Sequence, residues 1–381
     1  MSDSRDYDVV VFGATGFTGK LICEYLQANY GGGELKWAMA ARNAEKLAAA
    51  KAELGIGDDV AVVIADSGDK ASLDAMASST RVLLTAAGPY QNYGSELVES
   101  CARLGTDYVD LNGEPLWMKE MIAAHDETAK ASGARIVFSC GFDSLPSDLG
   151  VHLLQQEGAA RGLTLPRVRC RVKAMAGTAS GGTVASFTET MKAVKADPSL
   201  FAALTDSFAL AGDFSGPEQP PGNKPVFEED LNNWAGAFIM ASINTKNVHR
   251  SNYLLDHAYG TDLVYDEMML LGEEMPEKDD GGFGLDMSLQ PGEGPSKEQR
   301  EAGFYGILYI GTNENGDRLT VEVNGDMDPG YGSTSKMIAE AAVCLLNTPN
   351  TGGGCLTAAP VMGEALRARL QERAGVSFSI V

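Results

Sequence analysis

The segment Val9-Val10-Val11-Phe12-Gly13-Ala14-Thr15-Gly16-Phe17-Thr18-Gly19-Lys20 constrains the fold of this chain more than any other stretch. An apolar run meets three glycines at a spacing of three, just before Leu21, Ile22, Tyr25 and Leu26 open a helical pattern. Strand, glycine turn and helix start, in that order, form a dinucleotide pyrophosphate site. The glycines let the backbone turn tightly and approach the phosphates, and the free N–H groups at the helix start attract the anion. A lone glycine triplet says little, and a tight turn without a ligand competes with this reading; the flanking strand and helix supply the context the motif demands. Gly13, Ala14, Thr15, Gly16, Phe17, Thr18 and Gly19 are therefore expected at a cofactor.

The surrounding pattern agrees with that expectation. Short β-branched runs at 8–12, 35–40, 60–65, 81–86, 106–110 and 135–140 alternate with helical patterns at 43–54, 94–103 and 116–131, which is the signature of a Rossmann-type, doubly wound parallel sheet in an α/β protein. After about residue 160 the alternation breaks. Val168 to Met175 reads as a strand, Thr183 to Val194 as a helix, and 304–311 with 318–324 as a hairpin turning at Asn313-Glu314-Asn315-Gly316-Asp317, whose Asn-Gly suits a positive φ. A helix over 331–347 with Ser333 as its cap, a helix near 362–373 and a strand-like tail at 376–381 complete the chain. The expected organisation is an NADP-binding domain over 1–155, an α+β substrate and dimerisation domain with a mixed sheet over 156–350, and a C-terminal helix and tail over 351–381. Proline and glycine mark 212–225 and 272–297 as surface loops or lids.

Net charge narrows the partners. The chain carries 52 acidic and 30 basic side chains, a balance of −22, which argues against a general nucleic-acid or anionic-membrane binder. No apolar run reaches the length of a membrane span, and the N-terminus lacks a basic region followed by an apolar core, so a cytoplasmic protein is expected. The six cysteines are scattered with no paired spacing and no histidine at metal-ligand distance, so no metal is expected.

Cofactor choice turns on the end of the second strand, where a carboxylate would bind the ribose 2′-OH of NAD and an arginine the 2′-phosphate of NADP. Here the chain reads Ala40-Ala41-Arg42-Asn43. Arg42 offers a planar donor fork suited to phosphate, with a solvated arginine at a helix start as the competing reading; NADP is preferred. Asp66-Ser67 after the third strand and Ala87-Gly88-Pro89 after the fourth are further cofactor candidates, because ligands gather at the carboxyl ends of parallel strands. For catalysis the candidates are Tyr90, Asp143 and Ser144. Tyr90 as a packing residue and Asp143, Ser144 or Asp148 as helix caps stand beside that reading. Cys140 lacks basic neighbours and reads as structural. No tyrosine has a lysine four residues on, and no GxSxG elbow is present.

Taken in order, Gly13 to Gly19, Gly88-Pro89-Tyr90, Gly113-Glu114-Pro115 and Cys140-Gly141-Phe142-Asp143-Ser144-Leu145-Pro146-Ser147-Asp148 resemble the saccharopine dehydrogenase-like oxidoreductases. Ser180-Gly181-Gly182-Thr183, Asn244 to Asn252, Gly294-Pro295-Ser296 and Pro329 to Lys336 are similar to the branch that includes mycobacterial trans-acting enoyl reductases. The resemblance implies hydride transfer from NADPH to an enoyl or carbonyl group of a lipid- or polyketide-like substrate, with homodimers and contact with lipid surfaces within its range. Saccharopine reductases usually carry GxGxxG, and the GxxGxxG loop here counts against an amino-acid substrate. A saccharopine-type imine reductase would need convergent arginines, and 176–249 contains none; Arg169, Arg171 and Arg250 are the nearest. A non-catalytic NADP-binding redox sensor or scaffold is the reading from another class.

Overall fold

The computed structural model describes residues 5–177, 181–275 and 293–381. Ser180 of the Ser180–Thr183 motif and most of the 272–297 loop lie outside them.

Strands β1 (Tyr7–Phe12), β2 (Trp37–Ala41), β3 (Ala61–Ile64), β4 (Thr80–Thr85), β5 (Asp107–Asp110) and β6 (Arg135–Val137) pair in parallel in the order β6-β5-β4-β1-β2-β3. Helices α1 (Phe17–Tyr30), α2 (Ala44–Glu53), α3 (Lys70–Ser79), α4 (Tyr90–Tyr93), α5 (Ser95–Leu104) and α6 (Pro115–Ser132) connect them. Val9, Val10 and Val11 are all fully buried, because a central parallel strand is covered on both faces. Asn43 caps α2 by accepting from the Lys46 amide at 2.8 Å. Strand order reverses between β1 and β4, and this is where a doubly wound sheet opens a crevice.

Helix α7 (Leu145–Ala160) leads into the second unit. Its residues 145–155 are all buried, between the second sheet and later helices, so it has no polar stripe. The second sheet follows from β7 (Arg167–Ala176), α8 (Gly181–Ala196), α9 (Leu200–Thr205), β8 (Val226–Glu228), β9 (Asn233–Ala237), α10 (Ala241–Leu254), β10 (Val264–Gly272), α11 (Lys297–Glu301), β11 (Phe304–Thr312) and β12 (Arg318–Gly325). Central β7 runs parallel to β10 and antiparallel to β11, so the sheet is mixed. Its Val168, Cys170 and Val172 are fully buried, while Arg167, Arg169 and Arg171 alternate onto the opposite face. Gly316 takes the positive φ expected of the hairpin turn, 86°.

The chain then returns to the first layer. Helix α12 (Thr334–Asn347) packs on α1, β4 and β5, where its Glu340, fully buried, accepts from the Tyr25 and Tyr30 hydroxyls and from Arg369. Strand β13 (Gly354–Leu356) pairs with β6, helix α13 (Ala358–Arg373) packs on α12 and α7, and β14 (Val376–Ile380) completes the second sheet beside β12. Residues 351–381 thus supply one edge strand to each sheet. Ser333 does not cap α12: a π turn over Pro329–Ser333 precedes the helix, and Asp328 takes the Tyr331 and Gly332 amides at 3.1 and 2.6 Å. The Ser333 hydroxyl instead meets that of Tyr305 at 3.0 Å.

Candidate active site

A cleft of about 660 Å³ opens at the carboxyl ends of β1, β2, β4 and β5. Its floor is the glycine loop. Gly13 turns with φ of +86°, and a Cβ there would stand 3.0 Å from the Ala87 nitrogen. A Cβ on Gly19 would lie 2.1 Å from the Gly13 carbonyl oxygen, so α1 approaches the strand end as closely as backbone allows. Gly16 occupies the N-cap of α1 without a side chain to cap it, which leaves first-turn amides for an anion. The Gly13 and Ala14 amides donate to the Ala40 carbonyl at 3.0 and 3.1 Å and so fasten the loop to β2. Gly13, Thr15, Gly16, Phe17 and Thr18 line the cleft; Ala14 and Gly19 are buried behind them.

Arg42 stands on the cleft wall where β2 ends, exposed, and no hydrogen bond or ion pair joins it to another described residue. That is what a 2′-phosphate ligand requires. Ser67 also lines the cleft, whereas Asp66 does not: its carboxylate accepts the Gly68 amide at 2.9 Å and shapes the turn. Ala87 and Gly88 line it after β4, and Pro89, joined to Gly88 by a cis peptide, lies just outside. The residues present fit a dinucleotide phosphate along α1 and a second phosphate at Arg42.

The catalytic candidates separate. The Tyr90 ring lines the cleft and packs on Trp117, with centroids 5.5 Å apart. Its hydroxyl donates to the Thr85 carbonyl at 3.1 Å and accepts the Leu111 amide at 3.0 Å. Both capacities of the phenol are used in tying the ends of β4 and β5 together, and burial raises its pKa well above the usual value. This geometry fits the reading of Tyr90 as a packing residue and leaves its hydroxyl no free proton toward the cleft. Ser144 is buried, lies off the cleft, and its hydroxyl finds no partner among the described residues. Asp143 is different: it lines the cleft half-buried, no hydrogen bond joins its carboxyl to another described residue, and burial pushes it up to about 6.

The loops that present Asp143 are built by neighbouring carboxyls. Asp110, fully buried, accepts the Ser139 and Asn112 amides at 2.7 and 3.0 Å and the Tyr108 hydroxyl at 2.9 Å; burial raises it to about 7. Asp148 lies inside α7 and does not cap it; its carboxylate instead takes the Ala359 amide, in the first turn of α13, at 2.8 Å and the Ser251 hydroxyl. Cys140 is fully buried and its thiol is pushed far up, so it is structural.

The opposite wall escaped sequence reading. It comes from Ser186, Thr190 and Met191 on α8, Leu204 on α9, and Ile239, Met240 and Ser242 around the start of α10, while Gly330, Tyr331 and Thr334 around the start of α12 line the cleft beside the glycine loop, with the Tyr331 and Phe17 rings 5.3 Å apart. Only the i, i+4 spacing of Ser186 and Thr190 hints at a shared face, and the apolar members read as core. Among the described residues, Arg42 and Asp143 are the only charged side chains on the cleft. Arg169 and Arg171 pair with Glu228, Asp230 and Asp266 on the second sheet, and Arg250 is buried against the Leu210 and Cys355 carbonyls. The 212–225 loop contributes nothing to the cleft; its Gln219 binds the Leu263 carbonyl and the Tyr265 amide instead.

Comparison with known proteins agrees with this geometry. Residues 9–137 match the saccharopine dehydrogenase NADP-binding domain, and NADP is the cofactor. A Mycobacterium tuberculosis protein named as a candidate trans-acting enoyl reductase is 37% identical over 98% of this chain and 97% of its own. The trans-acting enoyl reductase of Mycobacterium ulcerans is 34% identical over 97% of both chains. Among solved structures, apo saccharopine dehydrogenase (L-Glu forming) from Saccharomyces cerevisiae shares the fold at a TM-score of 0.54 and 12% identity, covering 98% of this chain and all of that one. With relatives more than a third identical from end to end and a match to an NADP-binding domain, the chain belongs to the saccharopine dehydrogenase-like NADP-dependent oxidoreductases, alongside the mycobacterial trans-acting enoyl reductases.

Proposed function

We propose that this oxidoreductase reduces the carbon–carbon double bond of an α,β-unsaturated acyl group carried on an apolar, lipid-like chain. The observation that carries the reading is the cleft wall formed by Met191, Leu204, Ile239 and Met240, whose described lining residues include no cationic side chain; Lys246 lies behind this wall with its ammonium donating to the Leu204 and Ser242 carbonyls, each at 2.7 Å. An α-amino acid would need its carboxylate paired there, because a buried charge without a partner is costly. The arginines that could serve are committed elsewhere, which disfavours an imine of an amino acid. The names of the relatives point the same way.

NADPH, when bound, supplies the hydride. The glycine loop and Arg42 would hold its phosphates, and the turn at Ala87-Gly88 would place its reactive end toward the apolar wall. Hydride addition at the β-carbon leaves negative charge on the thioester oxygen and the α-carbon, which then needs a proton. Asp143 is our proton donor, since it faces the cleft with a free carboxyl held near 6 by burial. The test is NADPH oxidation against a panel of trans-2-enoyl thioesters of increasing length and imines of amino acids. Enoyl substrates should turn over and improve with chain length. Faster turnover of imines would overturn the reading, and NADPH binding without oxidation by any acceptor would favour a sensor.

A further inference from the structure

Glu114 is 2% exposed and gathers three donors. Its Oε1 accepts the Tyr90 amide at 2.9 Å and its Oε2 the Gln91 amide at 2.9 Å. These are the first amides of α4, which have no partner within the helix. The third donor comes from α8: the Ser186 hydroxyl donates to the same Oε1 at 2.7 Å. The glutamate is itself fixed, since its own amide donates to Asn112 Oδ1 at 2.6 Å and Pro115 begins α6 directly after it.

Ser186 belongs to the substrate wall. It lines the cleft, and a Cβ built on Gly88 would lie 3.9 Å from its hydroxyl oxygen, so it stands over the turn that follows β4. Thr190, one turn further along α8, also lines the cleft and donates to the Ser186 carbonyl at 3.0 Å. One carboxylate therefore ties the start of α4, on the cofactor side, to α8, on the substrate side. A hydrogen bond to a charged acceptor in a buried site is among the stronger polar contacts, and its two ends here fix two walls of one cleft.

We propose that Glu114 and Ser186 are positioning residues that set the distance between the Gly88 turn and the α8 wall, and hence the alignment of acceptor with cofactor. The proposal rests on the enoyl reading above only for the acceptor used in its kinetic test. Ser186→Ala removes the latch and leaves both amide contacts of Glu114 in place; Ser186→Thr keeps the hydroxyl. In the NADPH-loaded protein, Ser186→Ala should speed amide hydrogen exchange across residues 185–196 while NADPH affinity stays within about twofold. Single-turnover oxidation of NADPH by trans-2-decenoyl-CoA should slow by about tenfold or more, since small misplacements of reacting groups carry such costs, and Ser186→Thr should restore most of it. Unchanged exchange over 185–196, a parallel loss of NADPH affinity, or a threonine variant as slow as the alanine one would each overturn the proposal. If the wild-type protein oxidises NADPH with no enoyl thioester, the enoyl reading fails, and the exchange comparison alone decides the latch.

Discussion

Arg42→Ala is the sharpest probe of the cofactor side. The guanidinium stands where β2 ends, lines the cleft, and has no partner among the described residues to lose. Removing it should therefore cost the folded protein little and cost NADPH the whole of one charge-assisted contact. Hydrogen bonds to charged groups contribute about 1.5–3 kcal/mol. Because Arg42 is exposed, screening by water and salt moves the expectation to the lower part of that range. At about 1.4 kcal/mol per decade this predicts a loss of roughly 10- to 30-fold in NADPH affinity. NADH has no 2′-phosphate to meet the side chain, so its affinity should change by less than about twofold. Titration of nucleotide fluorescence at two salt concentrations measures both, and the wild-type advantage for NADPH should shrink as salt rises. Equal losses for the two nucleotides would refute the role given to Arg42, as would a wild-type preference insensitive to salt.

Other perturbations reach the remaining parts of the argument. Gly19→Ala places a Cβ within 2.1 Å of the Gly13 carbonyl oxygen, so nucleotide binding should be lost together with thermal stability; an alanine variant that binds NADPH normally would contradict the loop geometry. Asp143→Asn should slow turnover by about 10²–10⁴-fold, the usual worth of a positioned acid. A proton donor is competent below its pKa, so wild-type kcat/KM should fall as pH rises through about 6, and the asparagine variant should lose that limb of the profile. Tyr90→Phe leaves the Leu111 amide without its acceptor and should lower stability by about 1–3 kcal/mol in denaturant melts, with the isotope effect on hydride transfer unchanged. Asp110 is raised by burial to about 7, above the ordinary carboxylate value of about 3.9. Its contribution is then fully present below that ordinary value and lost as pH climbs through about 7, so Asp110→Asn should flatten the fall in unfolding midpoint between pH 5 and 8.

The cofactor side of this cleft was legible in the sequence because its determinants are local. Gly13, Gly16 and Gly19 fall within seven residues of one another, and a residue such as Arg42 is placed by the end of the strand that carries it. The catalytic candidates were harder. Tyr90, Asp143 and Ser144 all follow strands, but only hydrogen-bond accounting in three dimensions shows that the first is spent on Thr85 and Leu111, the third lies off the cleft, and Asp143 alone keeps a free carboxyl in it. Helix α7 left no amphipathic signal because its residues 145–155 are buried on every side.

By itself, then, the sequence determined a doubly wound nucleotide-binding layer, the glycine turn between β1 and α1 and the preference for NADP, since these depend on backbone conformations and side chains set within a few residues of one another. Only the tertiary structure decided the cleft wall from α8, α9 and α10, the Glu114–Ser186 link and the return of α12 and β13 to the first layer. Those features join segments up to hundreds of residues apart, and the apolar side chains that build them carry the same pattern whether they face a core or a ligand.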